Sequence, residues 1–344
     1  MDSGEQDAIT DVPGVSVGHA TLIQGTGKLV PGHGPVRTGV TVILPHDKNV
    51  YEEKLRAAVH VQNGAGELTG ALQVMEWGLL ETPIALTNTL NVGLVHDAIV
   101  DYMLNQNPSI GDRDEVILPV VGECDDRYLN DIRGRHVKRE HVFEAIKAAG
   151  RRVTEGSVGA GTGMSALGFK AGIGTASRKT TGDFVLGALV VANFGGDRDL
   201  CVDGVPLGRK LQRDNDSPGD DGSIITVIAT NAPLTSSQLR RVAARVPLAL
   251  GKVGSISSNS SGDISIAFST VGRVSVSSAS AITSTEITSA KTLNELFRAT
   301  VEATEEAILN SIFASDTMKG RDDNVSRGLP IDETLEIMRR QGRM

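Results

Sequence analysis

The chain reads as an α+β protein built in layers, and three observations predict it. Apolar, β-forming runs recur along the 344 residues; helical stretches fall between clusters of those runs rather than after each one; no linker separates two bodies. A regular βαβ barrel would need a helix after every strand. Glycine reaches 39 residues while aromatics make up only 3%, which implies close backbone packing through small residues and many turns of positive φ. A chain of this length buries a core without disulfides or metals, and one domain over 1–344 is expected.

Taken in order, Val40 to Leu44 is a strand broken by Pro45. Ile84 to Thr89 is a short strand that starts after Pro83, and Val95, Ile99 and Met103 then recur at helical spacing. Val116 to Val121 is another strand candidate, in which Pro119 marks an edge, a bulge or the strand's end. From His141 to Val153, the residues Val142, Phe143, Ile146, Ala149 and Val153 form one apolar helix face, closed by the glycine-rich Gly156 to Gly163. Phe184 to Asn193 is a long buried strand ending at the Gly195-Gly196 turn. Ile224 to Thr230 and Ile264 to Ser269 are further strands, the second with period-two alternation. Between them, Leu239, Val242, Val246 and Leu250 share one helix side, with Ser236 as its cap. The largest helix runs from Lys291 to Phe313, its apolar stripe interrupted by Thr304, and Ile331 to Arg340 is a short terminal helix.

Lys+Arg 34 against Asp+Glu 42 gives a net charge of -8, and no basic tract is dense enough for a nucleic-acid surface. Two cysteines cannot form a disulfide framework, which fits a reducing compartment. Met1 to Glu5 lacks an apolar run, so no signal peptide is expected, and the cytoplasm is the expected location.

Several motifs bear on chemistry. Gly159-Ala160-Gly161-Thr162-Gly163 lacks the Lys-Ser/Thr of a phosphate-binding P-loop, so a tight turn is the better reading. The seven histidines give no metal set, and neither metal nor cofactor is expected. Cys124 between Glu123 and Asp125 has acidic neighbours that raise a thiol's pKa, making it a poor nucleophile. Asn193 ends the longest apolar strand, where its amide suits an oxyanion hole and equally suits turn capping. Ser261-Gly262-Asp263 offers a hydroxyl–carboxylate relay, or an Asx turn with no function.

The loop Arg213 to Gly222 carries Asp214, Asp216, Asp220 and Asp221, most simply as a solvated segment, and ends on Ser223 at the start of a strand. A cut between Gly222 and Ser223 would give that serine a free α-amine of pKa about 7.7–8.0, and so a nucleophile with its own base. Gly254-Ser255 is the competing pair. Its serine opens a serine-rich patch rather than a strand.

These residues stand among others in a familiar order: Asp11 to His19, Gly39-Val40-Thr41, Asn63 to Gly70, Asn88-Thr89 with Val92-Gly93, Gly159 to Gly163, Val191 to Gly195, Asp221 to Ile225, and Ser261 to Asp263. The chain resembles the DmpA-type aminopeptidases, peptidase family S58, which includes the L-aminopeptidase/D-Ala-esterase/amidase and the β-peptidyl aminopeptidases. The resemblance implies an αββα sandwich like that of N-terminal nucleophile hydrolases with different strand connectivity. It implies self-cleavage at Gly222-Ser223 into 1–222 and 223–344, with Ser223 as nucleophile, Asn193 as oxyanion donor, and Ser261 and Asp263 as the auxiliary pair. The family acid is usually glutamate, so Asp263 is one methylene shorter than the pattern. Glu123 matches a carboxylate that receives the substrate's amino group, and Tyr128 a tyrosine assisting the oxyanion. Short peptides, aminoacyl amides or esters are the implied substrates, and a homo-oligomer, often a tetramer, the implied assembly. An acyltransferase intercepting the same acyl-enzyme is a rival reading, although its relatives use threonine as nucleophile. An inactive binding or assembly protein is another.

Overall fold

The structure is a computed structural model that describes residues 1–211, 222–275 and 289–343. Its main strands are β1 (Ser16–Gln24), β2 (Val36–Leu44), β3 (Glu53–Gly64), β4 (Ile84–Asn88), β5 (Val120–Cys124), β6 (Ile173–Lys179), β7 (Val185–Asn193), β8 (Ser223–Thr230) and β9 (Gly262–Ser269). Its main helices are α1 (Ala71–Trp77), α2 (Val92–Gln106), α3 (Arg139–Lys147), α4 (Ser236–Ala243), α5 (Val246–Lys252), α6 (Ala290–Phe313) and α7 (Ile331–Arg340). One sheet runs β1-β2-β4-β5, and a larger one runs β3-β9-β8-β7-β6 with short strands added at its β3 edge.

Side-chain alternation builds four layers from these elements. On β7, Leu189 and Val191 enter a core shared with Ile43, Ile84, Leu86 and Val120 of the first sheet, while Leu186, Ala188, Val190 and Ala192 face α4, α5 and α6. The first sheet's other face, with Val40, Val42, Ala85 and Val121, packs on Val95, Ile99 and Met103 of α2 and Val142 of α3. Helices, sheet, sheet, helices is the αββα order, and the expected α+β sandwich is present.

Several elements differ from their sequence outlines for identifiable reasons. The helix expected to reach Val153 stops at Lys147, because Gly150 exchanges both backbone hydrogen bonds with Val17 of β1. The strand expected over 116–121 is displaced to Val120–Cys124, after Pro119, whose missing N–H cannot join a ladder. The single helix expected from Ser236 to Leu250 is two, α4 and α5, with Pro247 in the first turn of α5. Thr235, not Ser236, caps α4, in a capping box with Gln238. Thr304 does not break the stripe of α6: beside the buried Leu293, Leu296, Ile308 and Ile312, the face carries Ala299, Thr300, Ala303, Thr304, Ala307 and Ser311, small residues that let the helix approach β6. A Cβ on Gly174 of β6 would stand 1.8 Å from the Ala307 carbonyl oxygen. Gly159 to Gly161 is a tight turn on β2, where Gly159 Cβ would meet Thr41 Oγ1 at 2.4 Å.

Among the described residues no helix is long and apolar enough to cross a membrane.

Candidate active site

Strand register brings the first pair together. Ser223 opens β8, and its antiparallel partner is Asn193, the last residue of β7. Ile225 and Val227 lie in the core between the sheets, so Ser223, two and four residues before them, shares their face. Both residues are nearly buried, at 4% and 9% exposure, and both line a cleft of about 660 Å3. Around them stand Ala65, Gly66 and Glu67, with Thr89, Glu123 and Tyr128. The motif segments Asn63 to Gly70, Asn88-Thr89, Val191 to Gly195 and Asp221 to Ile225 therefore converge on one place, although Asp221 itself and the other loop acids, Asp214, Asp216 and Asp220, lie outside the described residues.

Two hydrogen bonds orient Asn193. Its Oδ1 accepts from the Ser165 backbone N–H at 3.0 Å, and its Nδ2 donates to the Asp125 carbonyl at 3.0 Å. An amide nitrogen carries two hydrogens, so one bond still leaves a donor. Gly222 is glycine for a steric reason, because a Cβ there would lie 1.9 Å from the Asn193 carbonyl oxygen. The Gly222 carbonyl accepts from the Gly262 N–H at 3.2 Å.

Ser261 and Asp263 form their own pair. Ser261 Oγ donates to Asp263 Oδ1 at 2.6 Å, so the shorter acid does reach its serine. A register shift between Asp263 and Ile264 against β3 shapes this end of β9, and such bulges re-aim side chains. The pair flanks Gly262, the parallel partner of Ser223. It does not line the main cleft: Asp263 faces a small cavity with Ile224, Thr226 and Ser265 on the helix-covered side. Asp263 Oδ2 is buried without a hydrogen-bond partner among the described residues.

Glu123, at 5% exposure, accepts from the Glu67 N–H at 3.0 Å and from the Thr89 hydroxyl. Burial pushes its carboxyl above the usual range, against the pull of those two donors. Tyr128 lines the same cleft, and its hydroxyl donates to the Val325 carbonyl at 3.4 Å. Cys124 is fully buried, with Sγ directed at the Val191 and Ser223 carbonyls. Burial first, and Glu123 second, push its thiol up, so it is inert more by desolvation than by its acidic neighbours. Among the described residues, no three His, Cys, Asp or Glu converge as metal ligands. The Gly254-Ser255 pair ends α5, where Ser255 N donates to Leu250 O, far from strand chemistry.

Sequence reading did not single out Glu67 and Thr89, although both lie in quoted motifs. Asp125, Arg127, Ser165, Arg321 and Asn324 also line the cleft without being foreseen. Nothing in sequence spacing marks Arg321, which reaches the site from about a hundred positions beyond Ser223.

A buried serine paired with an asparagine across two strands, and a buried carboxylate in the same cleft, are the kinds of group that a serine-type hydrolase uses. The model of peptidase family S58 matches residues 7–326, and the chain belongs to that family. It is 42% identical over 356 residues to the beta-peptidyl aminopeptidase BapA of Sphingosinicella xenopeptidilytica, covering 98% of this chain and 88% of that protein. The crystal structure of the PH0078 protein from Pyrococcus horikoshii superposes with TM-score 0.96 at 51% identity, covering 100% of this chain and 96% of the other. The L-aminopeptidase D-Ala-esterase/amidase of Ochrobactrum anthropi, described as a variant of the Ntn hydrolase fold, superposes at 0.93 with 36% identity, covering 99% and 96%. The protein is a peptidase of the aminopeptidase type.

Proposed function

We propose that the chain is a self-processing serine aminopeptidase that releases N-terminal residues from short peptides, aminoacyl amides or esters. The observation that carries this reading is the cross-strand pair of Ser223 and Asn193 in the cleft that also holds Glu123. In the precursor, Ser223 Oγ attacks the Gly222 carbonyl carbon. The C–N bond breaks, the Ser223 nitrogen takes up the proton, and water then opens the ester to a Gly222 carboxylate and a free Ser223. Gly262 N–H already donates to the Gly222 oxygen, where negative charge develops in that step.

In the cleaved enzyme the Ser223 α-amine accepts the proton from its hydroxyl as the hydroxyl attacks the substrate. Asn193 Nδ2 donates to the oxyanion, the amine leaving group departs with the proton, and water hydrolyses the acyl-enzyme. Ser261 and Asp263 lie on the opposite face from the Ser223 hydroxyl, beside its strand partner Gly262. That position suits them to act on the α-amine rather than on the attacking oxygen. Glu123 accepts the substrate ammonium, and Tyr128 assists the oxyanion. The ammonium offsets the burial that holds the Glu123 carboxyl high. The same reading includes subunits 1–222 and 223–344 of a single domain, a homo-oligomer, and a cytoplasmic location.

Intact mass under denaturing conditions tests the proposal. Two fragments divided before Ser223 are expected for the wild type, and one full-length chain without aminopeptidase activity for Ser223→Ala. A single uncut, inactive chain in both would overturn it.

A further inference from the structure

Five charged side chains line the cleft: Glu67, Glu123, Asp125, Arg127 and Arg321. Asp125 and Arg127 of the lining pair with each other at 3.2 Å, whereas the partner of Arg321, Asp322, is not among the lining residues, so Glu67 and Glu123 stand on the anionic side and Arg321 on the cationic one. Arg321 Nε donates to Asp322 Oδ2 at 2.9 Å. Its two terminal nitrogens have no partner among the described residues, so the end of the guanidinium fork is open.

The backbone that presents Arg321 is held in an uncommon form. Asn324 N donates to Arg321 O at 2.9 Å, and the two residues between, Asp322 and Asp323, have φ of 55° and 63°. Two successive non-glycine residues in the left-handed region make a primed turn, a conformation that persists only where its surroundings over-determine it. Here they do. Asp322 N donates to Gly27 O, Leu29 N donates to Asp322 Oδ1, Arg321 N donates to Leu129 O, and Asn324 Nδ2 donates to Tyr128 O, all at 2.8–2.9 Å.

The groups of the cleft are linked through one stretch of chain. Glu123 is the last residue but one of β5, the Asp125 carbonyl two residues on binds Asn193, and Leu129, further along, carries the Arg321 turn. The oxyanion donor is therefore tied to the segment between the carboxylate and the guanidinium. We propose that Arg321 is a carboxylate subsite for the leaving group, so that the preferred substrates are short peptides with a free C-terminal carboxylate. This rests on the aminopeptidase reading above, with the substrate amine at Glu123, its first carbonyl at Ser223 and Asn193, and its terminal carboxylate on the Arg321 fork.

The test compares kcat/KM for alanyl-glycine and alanyl-glycinamide, each in α- and β-alanyl form, for wild type, Arg321→Ala and Arg321→Lys. The wild type should favour the acid, and Arg321→Ala should lower the acid-to-amide ratio by about ten- to hundredfold through KM, with partial recovery in Arg321→Lys. An unchanged ratio, as a merely structural arginine would give, or a wild type with no preference for the acid, overturns the subsite. If the wild type cleaves neither substrate, the aminopeptidase reading falls, and calorimetric binding of a reduced-bond alanyl-glycine analogue decides the subsite separately. The acid should then bind wild type more tightly than its amide does, and lose that advantage in Arg321→Ala. Equal binding of acid and amide by the wild type overturns it.

Discussion

An amide side chain serves as an oxyanion donor only if it cannot flip, and Asn193 is held at both ends, by the Ser165 N–H and the Asp125 carbonyl. Asn193→Ala should lower kcat by about 10²–10³-fold with little change in KM, since the donor acts on charge that exists only in the transition state. Glu123 makes a different demand. Its carboxyl is raised by burial, and the proton leaves only as pH rises through that raised value, so substrate binding weakens as pH falls through it. KM measured against pH should show an acid limb above the usual carboxylate range. In Glu123→Gln that limb should vanish and KM should rise at neutral pH; a limb that survives the substitution would remove Glu123 from substrate binding. At this scale the sequence was informative about identity and blind to setting. Asn193 and Ser223 could be picked out as candidates, but that Asp263, with Ser261 bonded to it, sits on the far face of the sheet depended on side-chain alternation along β9.

The segment 161–171 supports the site from behind and lines the cleft with Ser165 and Gly168. Lys170 is fully buried, and its Nζ donates to the carbonyls of Gly161, Met164 and Ala171. Three acceptors use all three hydrogens of an ammonium, although burial pulls the group down to about 7. The neighbouring Ser165 holds Asn193, so Lys170 is a positioning residue at one remove. Lys170→Met leaves three buried carbonyls unsatisfied and should cost at least about 3 kcal/mol in urea unfolding. On the other side of the large sheet, Gly174→Ala should cost about 1–3 kcal/mol, because its Cβ collides with the Ala307 carbonyl of α6. Elements with a strong period were legible: α7 matches its outline, and β7 and α6 each differ from theirs by one residue. Boundaries failed where a distant partner intervened, as when Val17 captured Gly150 and ended α3.

Across the whole molecule, stability carries the signature of buried acids. Asp126, fully buried behind the cleft wall, has its carboxyl raised from 3.8 to about 7 by burial, against the pull of hydrogen bonds from Thr38, Asn130 and Asn88. The folded state keeps this proton while the unfolded chain releases it, so Asp126's contribution falls as pH rises from about 4 to about 7. Melting temperature followed over that window should decline less steeply in Asp126→Asn than in wild type; parallel curves would mean that Asp126 is not the group responsible.

The sequence by itself determined the layered α+β class and the family, and offered the serine and asparagine proposed for the chemistry, because alternation, helical period and ordered motifs are local properties of the chain. Tertiary structure alone decided that Asn193 faces Ser223, that Gly222 is glycine for want of space beside a carbonyl, and that Arg321 enters the cleft. Those facts depend on strand register and on close approach between distant segments, and no local pattern encodes either.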